Sequence, residues 1–305
     1  NPILNNYSNS KSQVYEMIGD IRIHGKSSTI WVASDSKRSW TAKPHARYFD
    51  SRAMSSVTEI YITMNNIDLL PKCTQFYHVP AIVFSAGGYS GHAYHGMADV
   101  IVPLYFTARE FNGSVMLHSL DTPAWWISRY KQIFQKLSNY DTIDLGNIRE
   151  VQCFSRVIIG LDADHNELRA SPKHFTNHTM TDFTSFIRNT YTLHRHKVEK
   201  QRGPHRLLIV SRKKSRQLLN EEEMAETCKR IGFEVETSEI EGNFNSVARY
   251  INSFDVLVGV HGAALTNMIF LPENALVIQI IPYGMKGMST FTFGPPAKEM
   301  NLRYL

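Results

Sequence analysis

The chain has 305 residues, of which 43% are hydrophobic, and this length allows one large or two medium-sized globular domains. The formal net charge of +5 favours an anionic ligand only weakly, because solubility alone explains a mildly basic balance. No apolar run reaches the roughly 18 residues that a membrane-spanning helix needs, and no signal peptide is visible.

The first half of the chain mixes short strands with helices. Strands are predicted at Ile21–Ser34 (around a Gly-Lys turn), Val57–Met64, Val79–Gly88 and Val115–Leu120. Apolar residues recur at helical spacing over His92–Phe111. A clear amphipathic helix follows at Ala124–Ser138, and we expect its apolar side, Trp125 included, to pack against a sheet.

The second half of the chain alternates strands and helices more regularly. Strands are predicted at Arg206–Arg212, Phe233–Ile240, Val256–Val260 and Ala275–Ile281, with helices at Asn220–Gly232, Asn245–Ser253 and Ala263–Leu271. This alternation predicts an α/β fold with a parallel sheet that has helices on both faces. We expect two domains, over residues 1–180 and 181–305, with the boundary somewhere within 162–204.

The segment Val256–Pro282 combines a buried strand, a turn of small residues and the start of a helix. The turn is His261-Gly262-Ala263-Ala264, and Thr266 lies in the first helical turn. Free N–H groups and the positive end of the helix dipole attract anions there. Gly262 would let a ligand approach the backbone, and His261 adds a donor or a titratable ring. The motif therefore predicts an anion site, with a close-packed turn and a satisfied histidine as the alternative.

Basic side chains follow the strand that ends at Arg212. A guanidinium at the carboxyl end of a strand can meet a diphosphate and take the place of a metal ion. Arg212 is the favoured candidate, Arg216 is left open, and Lys213 and Lys214 are interpreted as solvated. Glu239 lies just after the next strand and is a candidate base or ribose contact.

His92, His95 and Asp99 form a second cluster on the helix predicted after Gly88. Because His95 and Asp99 are four residues apart, they share one helical face, and His92 precedes them by one turn. A carboxylate beside an imidazole can act as a general base. A surface pair without function has the same spacing.

The cysteines leave the presence of a disulfide open, and the short motifs disfavour several other kinds of functional site. Cys73, Cys153 and Cys228 allow one disulfide with a free thiol, or three thiols, and their spacing matches no metal site. Asp162-Ala163-Asp164 has the letters of an Asp-x-Asp metal motif but is interpreted as a polar loop. A P-loop and a GxSxG elbow do not occur. N-glycosylation acceptors are present at Asn6, Asn112 and Asn177.

Three separated segments resemble one known family: Ser85–Tyr105, Leu207–Glu223, and VGVHGAALTNMIFLPENALVIQI at 258–280. In this order they resemble plant glycosyltransferase family 61, and the similarity covers essentially the whole chain. It implies the GT-B architecture, in which two Rossmann-like domains face a cleft, with the acceptor side in 1–180 and the nucleotide-sugar side in 181–305. It also implies an inverting enzyme that moves a pentose from a UDP-sugar to xylan or a xylooligosaccharide without a metal or other cofactor. Xylose is favoured over arabinofuranose.

The resemblance also assigns residue roles. Asp99 and His95 are the candidates for the catalytic base, and His92 belongs to the acceptor side. The residues expected to bind the sugar donor are Arg212, Arg216, Glu239, His261, Gly262, Ala263, Ala264, Leu265 and Thr266. Gly96 stands where many members have an acidic residue, and His92 stands where the family often has Asn. Gly96 therefore keeps open a catalytically silent protein that binds a nucleotide sugar or a glycan.

The family's location implies a Golgi-lumen protein of type II topology, with its membrane anchor outside this chain. Two cysteines that are usual in the family are replaced here by Leu4 and Tyr15, which suggests that they pair with each other in relatives. Cys73 and Cys153 are then the expected bridge.

Overall fold

The computed structural model describes residues 2–163, 167–170, 174–199 and 203–305. The chain forms two compact units: unit 1 comprises Asn1–Asn166 with Ala170–His178, and unit 2 comprises Glu167–Arg169 with Thr179–Leu305. Within the described ranges, no helix combines the length and the hydropathy that crossing a bilayer requires. The α/β class predicted from the sequence is confirmed.

Unit 1 contains a mixed sheet of ten strands. The strands are β1 (Ile3–Asn6), β2 (Tyr15–His24), β3 (Thr29–Ala33), β4 (Arg38–Ala42), β5 (Ile60–Asn65), β6 (Gln75–Tyr77), β7 (Ala81–Ser85), β8 (Met116–Leu120), β9 (Ile143–Asp144) and β10 (Val151–Ile159). Their order is β4-β5-β3-β2-β10-β7-β8-β9, with β1 beside β2 and β6 beside β10. The segment from β10 to β9 is parallel, and β7 and β8 are buried along their whole length because both faces are covered.

A disulfide joins Cys73 to Cys153 on β10, with the two Cα atoms 6.0 Å apart, and Cys228 is a free thiol. This is the bridge that the family resemblance implies. It fastens the segment before β6 to the centre of the sheet.

Unit 1 contains one long helical stretch, which begins shortly after Gly87 and Gly88, the two glycines that follow β7. α1 spans Ser51–Met54. α2 (Ala93–His95) continues into a π-helical segment at Gly96–Ile101, then into α3 (Val102–Ala108) and a 3-10 turn at Arg109–Phe111. The helix predicted over His92–Phe111 is thus confirmed, but its centre is π-helical, a distortion that is frequent at functional sites.

α4 (Ala124–Leu137) buries the expected apolar side at Tyr130, Ile133, Phe134 and Leu137, and differs from the expectation at its first turn. The buried positions are Trp126, Tyr130, Ile133, Phe134 and Leu137, whereas the Trp125 side chain is 53% exposed. The prediction that Trp125 packs inward was wrong. At 100° per residue, only one of two adjacent tryptophans can lie on the buried stripe, and the spacing to Tyr130 and Ile133 selects Trp126.

Unit 2 contains a parallel five-stranded sheet in the order β12-β11-β13-β14-β15. Its strands are β11 (Arg206–Val210), β12 (Glu234–Ser238), β13 (Val256–Val260), β14 (Leu276–Ile280) and β15 (Arg303–Tyr304). Its helices are α5 (Met180–Thr190), α6 (Glu221–Arg230), α7 (Phe244–Asn252), a 3-10 helix at Ala263–Phe270, and α8 (Lys286–Glu299). The predicted alternation is confirmed. β15 and α8 were not predicted. Pro295 and Pro296 lie inside α8, and because proline is unfavourable in a helix interior, the sequence did not indicate a helix there.

Candidate active site

The strand order of unit 2 marks a position for a ligand. β11 and β13 are neighbours, and the chain proceeds from them in opposite directions, to β12 on one side and to β14 on the other. In open parallel sheets, ligands bind outside the carboxyl ends of the strands at such a reversal. Arg212 follows β11 and His261 follows β13. We call Ser211–Arg216 and His261–Thr266 the switch-point loops.

Gly262 brings the two switch-point loops into contact. Its φ of 156° and ψ of 178° suit glycine, and its carbonyl accepts the Leu265 N–H at 3.0 Å as the 3-10 helix begins. A β-carbon at this position would collide with Nη1 of Arg212 and would lie 3.4 Å from Nη2 of Arg216. Both guanidinium groups therefore lie against the backbone of Gly262, where a side chain would displace them.

In the switch-point loops Lys213 pairs with Glu239, whereas Arg212 and Arg216 have no counter-ion among the described residues. Arg212 donates through Nε to the Ser215 carbonyl at 3.0 Å and through Nη2 to the Ser215 hydroxyl at 3.1 Å. Its Nη1 is buried and has no hydrogen-bond partner in the described part of the chain. Burial and the charge of Arg216 lower the pKa of Arg212. Arg216 has a left-handed backbone with φ of 51°, which is uncommon outside glycine. A bound anion would supply an acceptor for Nη1 of Arg212 and would offset the positive charge of the two guanidinium groups.

His261 is a neutral hydrogen-bond donor in this surrounding. The Tyr304 hydroxyl donates to Oε1 of Gln279 at 2.7 Å, which orients the amide so that its Nε2 donates to Nδ1 of His261, also at 2.7 Å. The proton of the imidazole is then assigned to Nε2. Burial, followed by the charges of Arg216 and Arg212, lowers the pKa of His261. The ring is therefore uncharged near neutral pH and offers one N–H.

The remaining residues of the HGAALT turn contribute backbone and one hydroxyl. Ala263 and Ala264 are half-buried, and the Leu265 side chain packs in the core near Gly259. Thr266 is buried, and its Oγ1 has no partner among the described residues. A buried hydroxyl is normally hydrogen-bonded, so this atom is a further free polar group beside the turn.

Glu239 pairs with Lys213 instead of facing the arginines. Its carboxylate lies 2.6 Å from Nζ of the exposed Lys213, and this hydrogen bond lowers the pKa of Glu239. Since no contact in the described ranges joins Glu239 to Arg212 or Gly262, the structure does not bring it into the same cluster. Its predicted role in binding the sugar donor stays a prediction.

Asp99 of unit 1 is buried and fully engaged. Oδ2 of Asp99 lies 2.8 Å from Nε of Arg47 and 2.9 Å from Nδ1 of His95, and Oδ1 lies 3.0 Å from Nη2 of Arg47. The Asp99 side chain has no exposed surface. Burial raises the pKa of this carboxyl, but the hydrogen bonds from His95 and Arg47 outweigh burial, and the net shift is downward. Asp99 is thus a charged acceptor inside the protein, out of reach of a substrate hydroxyl.

His95 is the accessible member of the pair. Because Nδ1 donates to Asp99, Nε2 is left as the basic nitrogen of the ring. The side chain is 24% exposed, and the rings of Tyr89, His92 and Tyr94 lie 5.3–5.5 Å from it. The geometry is that of a histidine base oriented by a buried carboxylate. His92 is exposed beside it.

Gly96 faces the interior and not the surface. A β-carbon there would lie 2.8 Å from the carbonyl of Ser90 and 2.9 Å from the hydroxyl of Tyr130. A side chain at this position would have to displace α4 or the turn at Ser90. In this chain, therefore, no acidic group can stand at position 96 without local rearrangement.

The described ranges contain no cluster that could bind a metal ion. Nowhere in them do three or more His, Cys, Asp or Glu side chains come together. Asp162 of the Asp-x-Asp segment pairs with His174 at 3.1 Å, while Asp164 lies outside the described residues. Arg212 and Arg216 of the switch-point loops are cations that can bind a phosphate directly.

Sequence reasoning missed the residues that hold the site in place. Arg47 lies 52 positions before Asp99, and no local pattern announces their contact. The sequence does mark Gln279 as unusual, because it is a polar residue within the apolar strand β14. No sequence pattern indicates the role of Tyr304.

The comparisons with known proteins agree on one family. The family model described as Glycosyltransferase 61 matches residues 93–278, which include the His95–Asp99 pair and the HGAALT turn. The chain is 41% identical to Alpha-1,3-arabinosyltransferase XAT2 of Oryza sativa subsp. japonica over 98% of its length. It is 35% identical to Beta-1,2-xylosyltransferase XYXT1 of the same plant over 98% of its length, and 32% identical to Xylan glycosyltransferase MUCI21 of Arabidopsis thaliana over 96%.

These matches cover 53%, 70% and 65% of the respective relatives. The chain thus spans about half the length of the rice arabinosyltransferase.

Proposed function

The chain belongs to glycosyltransferase family 61, and we propose that it is an inverting, metal-independent enzyme that moves a pentose from a UDP-sugar to a xylan-type polysaccharide. One observation carries the proposal: Arg212 and Arg216, which have no counter-ion among the described residues, lie against Gly262 at the reversal point of a parallel sheet. A pyrophosphate is the anion that suits two guanidinium groups beside a helix start.

The sugar-donor side of the mechanism needs no metal ion. As the bond between the anomeric carbon and the UDP oxygen breaks, the electron pair leaves with UDP and negative charge grows on the pyrophosphate. Arg212, Arg216, the N–H of neutral His261 and the first amides after Gly262 can stabilise that charge. These groups are fixed before the substrate arrives, so little reorganisation is needed.

On the acceptor side we assign the base to His95. Its Nε2 takes the proton of the acceptor hydroxyl while the hydroxyl oxygen attacks the anomeric carbon from the face opposite UDP. Asp99 fixes the ring and stabilises the imidazolium that forms, and Arg47 keeps Asp99 charged. Asp99 is then a positioning residue, and His95 is the catalytic one.

The identity of the pentose is the finer part of the proposal. The resemblance in the sequence favours xylose, whereas the relatives at 41% and 39% identity carry the name Alpha-1,3-arabinosyltransferase and those at 35% and 36% the name of a beta-1,2-xylosyltransferase. We infer that arabinose is the first sugar to test and xylose the second. A few pocket contacts suffice to exchange one pentose for another.

The location and the architecture belong to the same proposal. A Golgi-lumen protein with the GT-B architecture is supported by the family, and the Cys73–Cys153 disulfide suits an oxidising compartment.

An assay of UDP release tests the function. The purified chain is incubated with UDP-arabinofuranose, UDP-xylose or UDP-N-acetylglucosamine, with and without xylohexaose, in the presence of EDTA. We expect release that depends on xylohexaose with one UDP-pentose and that EDTA does not suppress. UDP binding without release from any sugar donor would favour the silent binding protein, and loss of release in EDTA would contradict metal independence.

A further inference from the structure

Trp125 is a large aromatic side chain that the fold leaves in solvent. It is 53% exposed, although the next residue, Trp126, is buried in the core. The indole N–H of Trp126 donates to the Ser90 carbonyl at 2.9 Å. This bond fastens the first turn of α4 to the turn that precedes α2, so the position of Trp125 is fixed by its neighbour.

The Trp125 ring lies beside the turn that leads into the helix carrying His95. Its two outer ring carbons, Cζ2 and Cη2, lie 4.0 Å from the place that a β-carbon of Gly91 would occupy, which is an ordinary van der Waals distance. His92 follows Gly91 in the chain, and its ring centroid lies 5.5 Å from that of His95. The exposed Trp125 ring therefore lies close to the segment that carries His92 and the proposed base, His95.

An exposed indole in a fixed position is suited to binding and adds nothing to the core. Apolar surface left in water forgoes about 25 cal/mol per Å² of burial. Amphipathic aromatic side chains such as Trp are enriched where a protein surface meets a partner, and Trp125 is exposed close to the proposed base. The flat ring presents an apolar face with no charge of its own, and a pyranose ring in a neutral glycan carries C–H groups on a matching face.

Resting on the proposed function, we propose that Trp125 is an acceptor subsite: a stacking platform for a neutral sugar residue of the glycan chain, next to the residue whose hydroxyl reacts at His95. His92 is exposed and lies in the chain between Gly91, which is beside the Trp125 ring, and His95. The platform holds the chain in register, so its loss acts on acceptor binding and not on the sugar donor.

The test compares Trp125→Ala and Trp125→Phe with Phe76→Ala, a control that removes a 54% exposed ring from β6 in the same unit. We expect Trp125→Ala to raise the KM for xylohexaose about tenfold, equivalent to about 1.4 kcal/mol, with the KM for the UDP-sugar unchanged. Trp125→Phe should recover part of this loss. Phe76→Ala should match the wild type.

Titration of xylohexaose without any sugar donor, by calorimetry, separates this inference from the proposed function. Tighter binding by the wild type than by Trp125→Ala supports the platform even if no UDP-sugar is turned over. Equal binding by the two proteins, or an equal loss in Phe76→Ala, would overturn the platform while leaving pentosyl transfer intact.

Discussion

Replacing Arg212 by alanine tests the pyrophosphate site most directly. In the free protein, Nη1 of Arg212 is buried and has no acceptor within the described ranges, and burial with the neighbouring Arg216 lowers the pKa of the guanidinium. Two hydrogen bonds to Ser215 partly offset the cost of burying the Arg212 side chain. A phosphate oxygen would supply the missing acceptor, and hydrogen bonds to charged groups contribute about 1.5–3 kcal/mol.

From this magnitude we expect Arg212→Ala to weaken UDP binding by about 10- to 150-fold. The free energy of unfolding of the free protein should stay within about 0.5 kcal/mol of the wild type, because the charge repulsion and the unpaired donor disappear together with the two hydrogen bonds. Calorimetry with UDP measures the first quantity, and denaturant unfolding measures the second.

Lys214→Ala is the matched control, since it removes one positive charge from an exposed side chain of the same loop. It should leave UDP affinity within about twofold, as expected for a solvated charge. Wild-type affinity in Arg212→Ala would refute the reasoning, and so would an equal loss in both variants, because net charge alone would then explain the effect.

Three further predictions concern Gly262 and Asp99. Gly262→Ala should lower UDP affinity at least about tenfold, because the new β-carbon displaces the Arg212 guanidinium, whereas Gly287→Ala meets open space and should not; calorimetry distinguishes them. Asp99→Asn should preserve UDP affinity but lower kcat by about 10²–10⁴, since the carboxylate that orients His95 is lost; a fully active variant would remove Asp99 from the mechanism. The pKa of Asp99 is lowered in the folded state, so its stabilisation is present above the unfolded value near 4 and is lost as the pH falls through the folded value. Denaturant unfolding should therefore show the wild type losing its advantage over Asp99→Asn below about pH 4, and parallel curves would contradict this.

Local patterns predicted most of unit 2 because its elements are consecutive in the chain, although β15 and α8 were missed. The strands β11 to β14 are each followed by a helix, and the candidate anion site lies where β13 meets the next helix start, so the motif at 258–280 contains most of its own geometry. The position of Arg212 could be predicted for the same reason, since the end of a strand is a local feature of the sequence. What the sequence could not show is that Gly262 lies against the Arg212 guanidinium.

Unit 1 was harder because its key contacts are distant in sequence. β10 pairs with β2 across more than a hundred residues, and Arg47 reaches Asp99 over 52 positions. The inward and outward assignment of Trp126 and Trp125 depended on a one-residue shift in a helical stripe. The spacing of Trp126 to Tyr130 and Ile133 places Trp126 on the buried stripe, and the bond from its indole to the Ser90 carbonyl holds it there.

The family resemblance implies an acidic residue at position 96, and its replacement by glycine bears on which group we propose as the proton acceptor. An acceptor of a hydroxyl proton must be accessible, must hold a lone pair and must be fixed in place. Position 96 fails the first condition because its β-carbon direction points into Ser90 and Tyr130. Asp99 fails it as well, because its side chain is fully buried. Nε2 of His95 meets all three conditions, since the ring is partly exposed and its other nitrogen is bonded to a carboxylate that Arg47 keeps ionised. Gly96 therefore leaves His95, the base that we propose, in place, and the proposal of a silent role for this chain would need a reason other than Gly96.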